Sequence, residues 1–257
     1  MNGTETAFGV YVHVPFCVAR CGYCDFTTYT SAEIAGGQAR TDYCRWVRTE
    51  IAFARRELER LGTGGRAVET VFFGGGTPTL LQVPELIGIL DAIRASWELA
   101  PDAEITVEAN PDSVSPHRVG ELAAGGMTRL SLGMQSAVPE VLATLNRTHA
   151  PEQVQRAVDA GHSAGMEVSL DLIYGAPGET LAQWEASLNT AVEYGIGHLS
   201  VYALTLEPHT PLARRISRGE VAPLNLDEQA EKYELADGLL AAAGLNWYEI
   251  SNFARTP

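Results

Sequence analysis

The sequence predicts an α/β fold in one domain, built as an open or partial (β/α) barrel. Strand-like apolar runs alternate with amphipathic helical stretches almost to the end of the chain. Glycine-containing joints recur where helices give way to strands. Conspicuous polar residues stand at the C-terminal ends of the strands, the face on which parallel barrels carry their reactive groups.

Gly9 to Val14 is a β-branched and aromatic run of strand character. From Asp42 to Leu61, the residues Tyr43, Trp46, Val47, Ile51, Ala54, Leu58 and Leu61 recur at spacings of three and four, which marks one buried face of a helix. Val68 to Phe73 reads as strand, Pro84 to Trp97 as helix and Glu104 to Ala109 as strand. A helix near Pro116 to Ala124 leads to a strand from Thr128 to Leu132. Helices over Glu152 to Ala164 and Leu181 to Tyr194 precede strands at Glu167 to Ile173 and His198 to Leu204. A last helix, Asp227 to Ala243, precedes a strand at Trp247 to Ile250. The joints Gly126-Met127, Gly165-Met166, Gly197-His198 and Gly244-Leu245 each close a helix, where a left-handed residue favours glycine. These seven strands are one short of a closed eightfold barrel. No linker or compositional break divides residues 1–257, so a single domain is expected.

The 257 residues are 46% hydrophobic and 19% charged, the composition of a folded globular chain. With 18 Lys and Arg against 32 Asp and Glu, the net charge of −14 argues against nucleic acid as a partner, since phosphate backbones demand a positive face. Met1 to Thr6 is polar and lacks the pattern of a signal peptide. The longest apolar candidate for a membrane span, Leu235 to Leu245, is interrupted by Asp237, so no transmembrane segment is expected. Four cysteines make no disulfide framework, and reduced thiols in a cytoplasmic protein are the better reading.

Three of those cysteines form C-x-x-x-C-x-x-C: Cys17, Cys21 and Cys24, in the loop after the first strand. Three thiolates in so short a loop can converge on one metal or on an iron–sulfur cluster. A 4Fe–4S cube held by three cysteines leaves its fourth iron open to another chelator. The alternative is a zinc site completed by His13 or Asp25, although structural zinc normally draws on two separated ligand pairs. Cys44 lies on the face of the long helix and reads as core. After the second strand comes Gly74-Gly75-Gly76-Thr77, where glycine lets backbone approach a ligand closely. Glu108 with Asn110, Gln135, Asp171, and Thr205 with Glu207 occupy later strand ends. Taken singly, Glu108 and Asp171 suit rim ion pairs, Arg147 a helix-end charge, and Gln135 the satisfaction of backbone groups. Neither phosphate-binding glycine signature is present.

The stretches Y-V-H-V-P-F-C, F-G-G-G-T-P-T, E-A-N-P, R-L-S-L-G-M-Q-S and D-L-I-Y-G-A-P-G-E-T together resemble the HemN/HemW group of the radical S-adenosylmethionine (SAM) superfamily, from Tyr11 to Phe253. This group comprises oxygen-independent coproporphyrinogen III oxidases and heme chaperones. The resemblance implies a barrel of the radical SAM type, with a 4Fe–4S cluster on Cys17, Cys21 and Cys24 and SAM on the open iron. It implies that Tyr11, Gly75 and Glu108 contact that SAM. Tyr23, Gly76, Thr77, Gln135, Arg147 and Asp171 match positions that hold a second SAM in the oxidase, and Thr205 aligns near another.

The resemblance further implies heme as cargo, a heme-accepting cytochrome as partner and peripheral contact with a membrane. Its alternative is the oxidase of porphyrin biosynthesis, acting on propionate side chains. The oxidase has another cysteine two positions past its last cluster cysteine, where this chain has Phe26, and a longer N-terminal extension; both differences favour the chaperone. The family's C-terminal domain, with its H-N-x-x-Y-W stretch, is absent from this sequence. His13, His149, His162, His198 and His209 carry no pattern that singles out a heme ligand.

Overall fold

The computed structural model describes residues 7–30, 32–33 and 38–255. Met1 to Thr6, read above as unlike a signal peptide, lies outside the described residues. Eight strands form one sheet, in the order β1 (Gly9–Val14), β4 (Val68–Gly75), β5 (Leu99–Ala109), β6 (Arg129–Gln135), β7 (Glu167–Tyr174), β8 (His198–Ala203), β10 (Asn252–Ala254), β9 (Asn246–Glu249). The first six run parallel; β10 is antiparallel to β8, and β9 is antiparallel to β10. A separate two-residue pair joins β2 (Phe16–Cys17) to β3 (Tyr29–Thr30). The helices are α1 (Gln38–Arg60), α2 (Val83–Ser96), α3 (Pro116–Ala124), α4 (Pro139–Thr144), α5 (Pro151–Ser163), α6 (Leu181–Glu193), α7 (Pro211–Ser217) and α8 (Leu226–Ala242).

The sheet order has two ends, β1 and β9, so the barrel is open, as expected. The expected seventh parallel strand is corrected. The segment near Trp247 is the outer arm of a tight hairpin with β10, and so short a connection permits only antiparallel pairing. Strand periodicity then divides the sheet into two faces. Val71 and Phe73, Ile105 and Val107, Leu130 and Leu132, Leu170 and Leu172 are buried in one continuous core beneath the helices. Their alternates Glu108, Ser131 and Asp171, with Ser200 between buried Leu199 and Val201 of β8, point the other way, onto a shared cavity. Side chains from β4 through β10 meet around that cavity, which shows that the sheet curls about a polar lumen. The apolar face supplies the stability, and the polar face is left for chemistry.

On the helical layer, Leu86, Ile89, Leu90 and Ile93 of α2 are fully buried, and so is Trp184 of α6, whose indole N–H donates to Lys232 O at 2.8 Å. In α1 the buried stripe runs through Cys44 and Ile51, while Trp46 is 58% exposed and Leu61 63%. At about 100° per residue Trp46 lies roughly 140° from Ile51, off the stripe, whereas Cys44 lies on it. Gly126, Gly165 and Gly244 adopt the expected left-handed conformation, with φ of 98°, 74° and 77°. At the fourth joint that residue is Gly195 (φ 71°) rather than Gly197.

Candidate cofactor-binding site

The cysteine loop is held on three sides. Cys17 pairs with Thr30 in the small sheet, and Tyr29 N donates to Pro15 O at 2.7 Å, closing the loop at its base. Farther out, Gly22 N donates to Leu145 O (3.0 Å) and Gly22 O accepts from Leu212 N (2.7 Å). The two short helices α4 and α7, absent from the sequence reading, thereby clamp the loop. Thr77 N donates to Phe16 O at 2.7 Å and joins the glycine-rich turn to the strand that carries Cys17. A Cβ on Gly76 would stand 2.5 Å from Phe16 O, and Gly75 sits at φ 110°. Both glycines are therefore required by geometry.

Above the sheet, this loop and the strand ends enclose a cavity of about 340 Å³. Cys17, Cys21 and Cys24 line it, all free thiols; Cys44 is buried on α1 and takes no part in the wall. Of the residues carried over by resemblance, Tyr23, Gly75, Gly76, Thr77, Glu108, Gln135, Arg147 and Asp171 lie on the wall, and so does Thr205. Tyr11 does not. It is 58% exposed on β1, stacked on Phe72, with its hydroxyl 3.3 Å from His13 Nδ1. His13 is exposed, its Nε2 bound to Thr27 O at 2.9 Å.

Two wall residues, Ser131 and Tyr202, were missed as site residues, and Asn110 was named at its strand end without a role. Asn110 bridges the Thr77 hydroxyl (3.2 Å) and the Arg147 guanidinium (2.8 Å). Ser131 and Tyr202 line both this cavity and a second one of about 290 Å³ beneath it. The strand-end position of Asn110 was visible in the sequence; alternation along β6 and β8 could have flagged the other two.

Glu108 and Asp171 also belong to both cavities. Burial and the Asp171 charge push the Glu108 carboxyl up to about 7, against the pull of the Gly75 N–H that it accepts at 3.1 Å. Burial pushes Asp171 up to about 6, opposed by hydroxyls of Ser200 and Ser131 and by the Arg129 charge. Burial also raises the Cys17 and Cys24 thiols. Gln135 is held at φ 62°, and its buried Oε1 has no hydrogen-bond partner, an acceptor free for a ligand.

Residues 11–191 match the Radical SAM superfamily. The chain belongs to the radical SAM superfamily. Among its relatives are the heme chaperone HemW of Mycobacterium tuberculosis (strain H37Rv), 47% identical over 96% of this chain, and that of Escherichia coli K12, 37% identical over 96%. The chain spans 62% of the length of each of these two relatives. The mouse mitochondrial radical S-adenosyl methionine domain-containing protein 1 is 36% identical over 99% of this chain, which covers 56% of it. Among solved structures, the E. coli coproporphyrinogen III oxidase HemN, a radical SAM enzyme, superposes with a TM-score of 0.84 at 25% identity, over 98% of this chain and 56% of its own. The resemblance to the HemN/HemW group and the open radical SAM barrel are both borne out.

Membership of the radical SAM superfamily implies a 4Fe–4S cluster and SAM. The residues present fit both. Among the described residues, no three His, Cys, Asp or Glu side chains are set to hold a single metal ion. A radical SAM cube takes one thiolate on each of three irons, and Cys17, Cys21 and Cys24 are three free thiols on one cavity wall. The Gly75–Gly76 backbone, which a Cβ would obstruct, and the unpartnered Gln135 Oε1 supply a cradle and an acceptor for SAM. Among the described residues, no helix is long and apolar enough to cross a membrane.

Proposed function

We propose that residues 1–257 form one radical SAM core domain of a heme chaperone of the HemW type, working in the cytoplasm and passing heme to an acceptor such as a cytochrome. The observation that carries this reading is 47% identity to a HemW chaperone, sustained over 96% of the chain. Phe26 supports it. This side chain lies on the cavity wall, 62% exposed, two positions beyond Cys24, where the oxidase-like alternative calls for another cysteine.

In this reading Cys17, Cys21 and Cys24 hold the cluster. When bound, the cluster supplies an open iron for SAM and an electron for reductive cleavage of its sulfonium bond. Glu108 accepts from ribose hydroxyls while remaining bound to the Gly75 N–H, and the Gly75–Gly76 backbone admits the amino end of the ligand. Gln135, Asp171, Thr77 and Tyr23 complete the polar wall. The α4–α7 clamp keeps the loop in place. Tyr11 is best read as a residue of the open edge, since it stands off the wall.

An anaerobic heme titration of the cluster-reconstituted protein, followed by absorbance, tests the reading. Saturable, stoichiometric binding supports a heme site in this chain; no binding overturns a heme site within residues 1–257 and makes the oxidase reading the next to test. The oxidase reading rests on the likeness to HemN. Consumption of coproporphyrinogen III coupled to 5′-deoxyadenosine release would establish it in place of the chaperone.

A further inference from the structure

Arg147 ends on a cysteine. Its Nη1 donates to Cys21 Sγ at 3.3 Å, and its Nη2 donates to Asn110 Oδ1 at 2.8 Å and to Gly133 O at 2.9 Å. A guanidinium has five N–H donors in a rigid fork, so three are already committed to the protein. The backbone is fixed as well. Arg147 N donates to Leu142 O at 2.9 Å, and Asn146 before it takes the left-handed conformation at φ 56° that ends α4. Resemblance to the oxidase gives this arginine a second SAM to hold. The geometry gives it a sulfur.

Arg147 is the one Lys or Arg among the described residues on the cavity wall. Its partner Asn110 also donates to the Thr77 hydroxyl at 3.2 Å, and Thr77 N is bound to Phe16 O, next to Cys17. A continuous strut thus runs from the glycine-rich turn through Asn110 and Arg147 to Cys21. Hydrogen bonds to cluster sulfurs and nearby net charge are the protein's main means of setting a cluster's potential. A cation on a cysteine sulfur favours the reduced state, which carries one more electron, and it does so strongly where water is scarce.

We propose that Arg147, oriented by Asn110, is a positioning residue for the cluster, raising its reduction potential through the bond to Cys21 and coupling that sulfur to the turn that receives SAM. The proposal rests on the reading that Cys17, Cys21 and Cys24 hold the cluster. Cluster-reconstituted wild type, Arg147→Met, Arg147→Lys and Asn110→Ala would be assayed for iron and acid-labile sulfide, then titrated electrochemically with the electron paramagnetic resonance signal of the reduced cluster as readout. The expected result is an unchanged iron and sulfide content, a clearly more negative midpoint in Arg147→Met, and smaller shifts in the same direction in the other two. An intact cluster with an unmoved midpoint in Arg147→Met overturns the proposal. So does loss of SAM stoichiometry without a change of potential, which would return Arg147 to ligand binding. If Arg147→Met does not fold, Asn110→Ala and Arg147→Lys decide, and no shift in either overturns it. Wild type lacking iron and sulfide would instead overturn the cluster reading and the proposal with it.

Discussion

Asp171 and Glu108 stand on the boundary between the cysteine-lined cavity and the chamber beneath it, and the Asp171 charge adds to burial in pushing the Glu108 carboxyl up to about 7. The two strands that carry them, β7 and β5, flank β6, whose Ser131 pairs with Glu108 and lines both cavities.

Removing the Asp171 charge should therefore release the proton on Glu108. In Asp171→Asn the Glu108 midpoint is expected to fall below its wild-type value of about 7, toward the ordinary carboxylate range, because the Gly75 N–H already favours the charged form. Carboxyl carbon-13 NMR of the cluster-free protein reads this directly, and an unmoved midpoint would mean that the two groups do not communicate. The sign of the linked stability follows. Both folded-state values lie above the unfolded ones, so the native chain takes up protons as pH falls from about 7, and this pair contributes rising stability over that window.

His149 runs the opposite way. It is 4% exposed, its Nε2 lies 3.0 Å from Met134 O, and burial with the Arg147 charge pushes it down to about 4. The unfolded chain protonates this group near 6.5, so its contribution is full above that pH and is lost as pH falls toward 4. The cost at the acid end is on the order of 3 kcal/mol. In urea melts at pH 7 and pH 5, His149→Gln is expected to be destabilised at pH 7 and to lose less on acidification than wild type. Equal acid sensitivity in the two proteins would exclude His149 as the source.

Replacing Cys17, Cys21 or Cys24 with Ala should abolish iron and sulfide incorporation, because a cube held by two thiolates exposes two irons. Cys44→Ala should retain the full cluster and cost about 1 kcal/mol through lost burial on α1. Metal and acid-labile sulfide analysis after reconstitution checks both. A triple variant that still carries iron and sulfide would sink the site assignment.

The helices and parallel strands were legible because each buries a face at its own period, as Leu86, Ile89, Leu90 and Ile93 do in α2 and Leu130 and Leu132 do in β6. What escaped was short or settled by tertiary contact. Pro139–Thr144 and Pro211–Ser217 span too few residues to show a helical period, yet they clamp the cysteine loop. Asn252–Ala254 is a three-residue strand, so its hairpin with Asn246–Glu249 left no alternation to read. The sequence G-I-G offers two glycines for one helix end, and only Gly195 is left-handed. The cysteine spacing marked the loop whose three thiols line the cavity. The partnership of Arg147 with Cys21 could not be read there, because 126 positions separate the two.

The contact between the glycine-rich turn and the cysteine loop gives the last prediction. Thr77 N and Phe16 O are bonded at 2.7 Å, and Gly76 leaves no room between them: a Cβ there would approach Phe16 O to 2.5 Å and the Phe16 carbonyl carbon and amide nitrogen to 2.9 Å. Backbone cannot move aside as a side chain can, so Gly76→Ala must push the turn away from the strand that carries Cys17. The expected penalty is about 1–3 kcal/mol, typical of overpacking. The displacement should also weaken SAM binding more than cluster assembly, since the thiols keep their own loop while the cradle shifts. Gly120→Ala is the matched control. It lies within α3 with nothing inside 4 Å of the added Cβ, and should be neutral or stabilising by about 0.5–1 kcal/mol. Chemical denaturation and isothermal titration of reconstituted protein with SAM distinguish the cases. Gly76→Ala with wild-type stability and SAM affinity would show that the turn and the loop are not locked together.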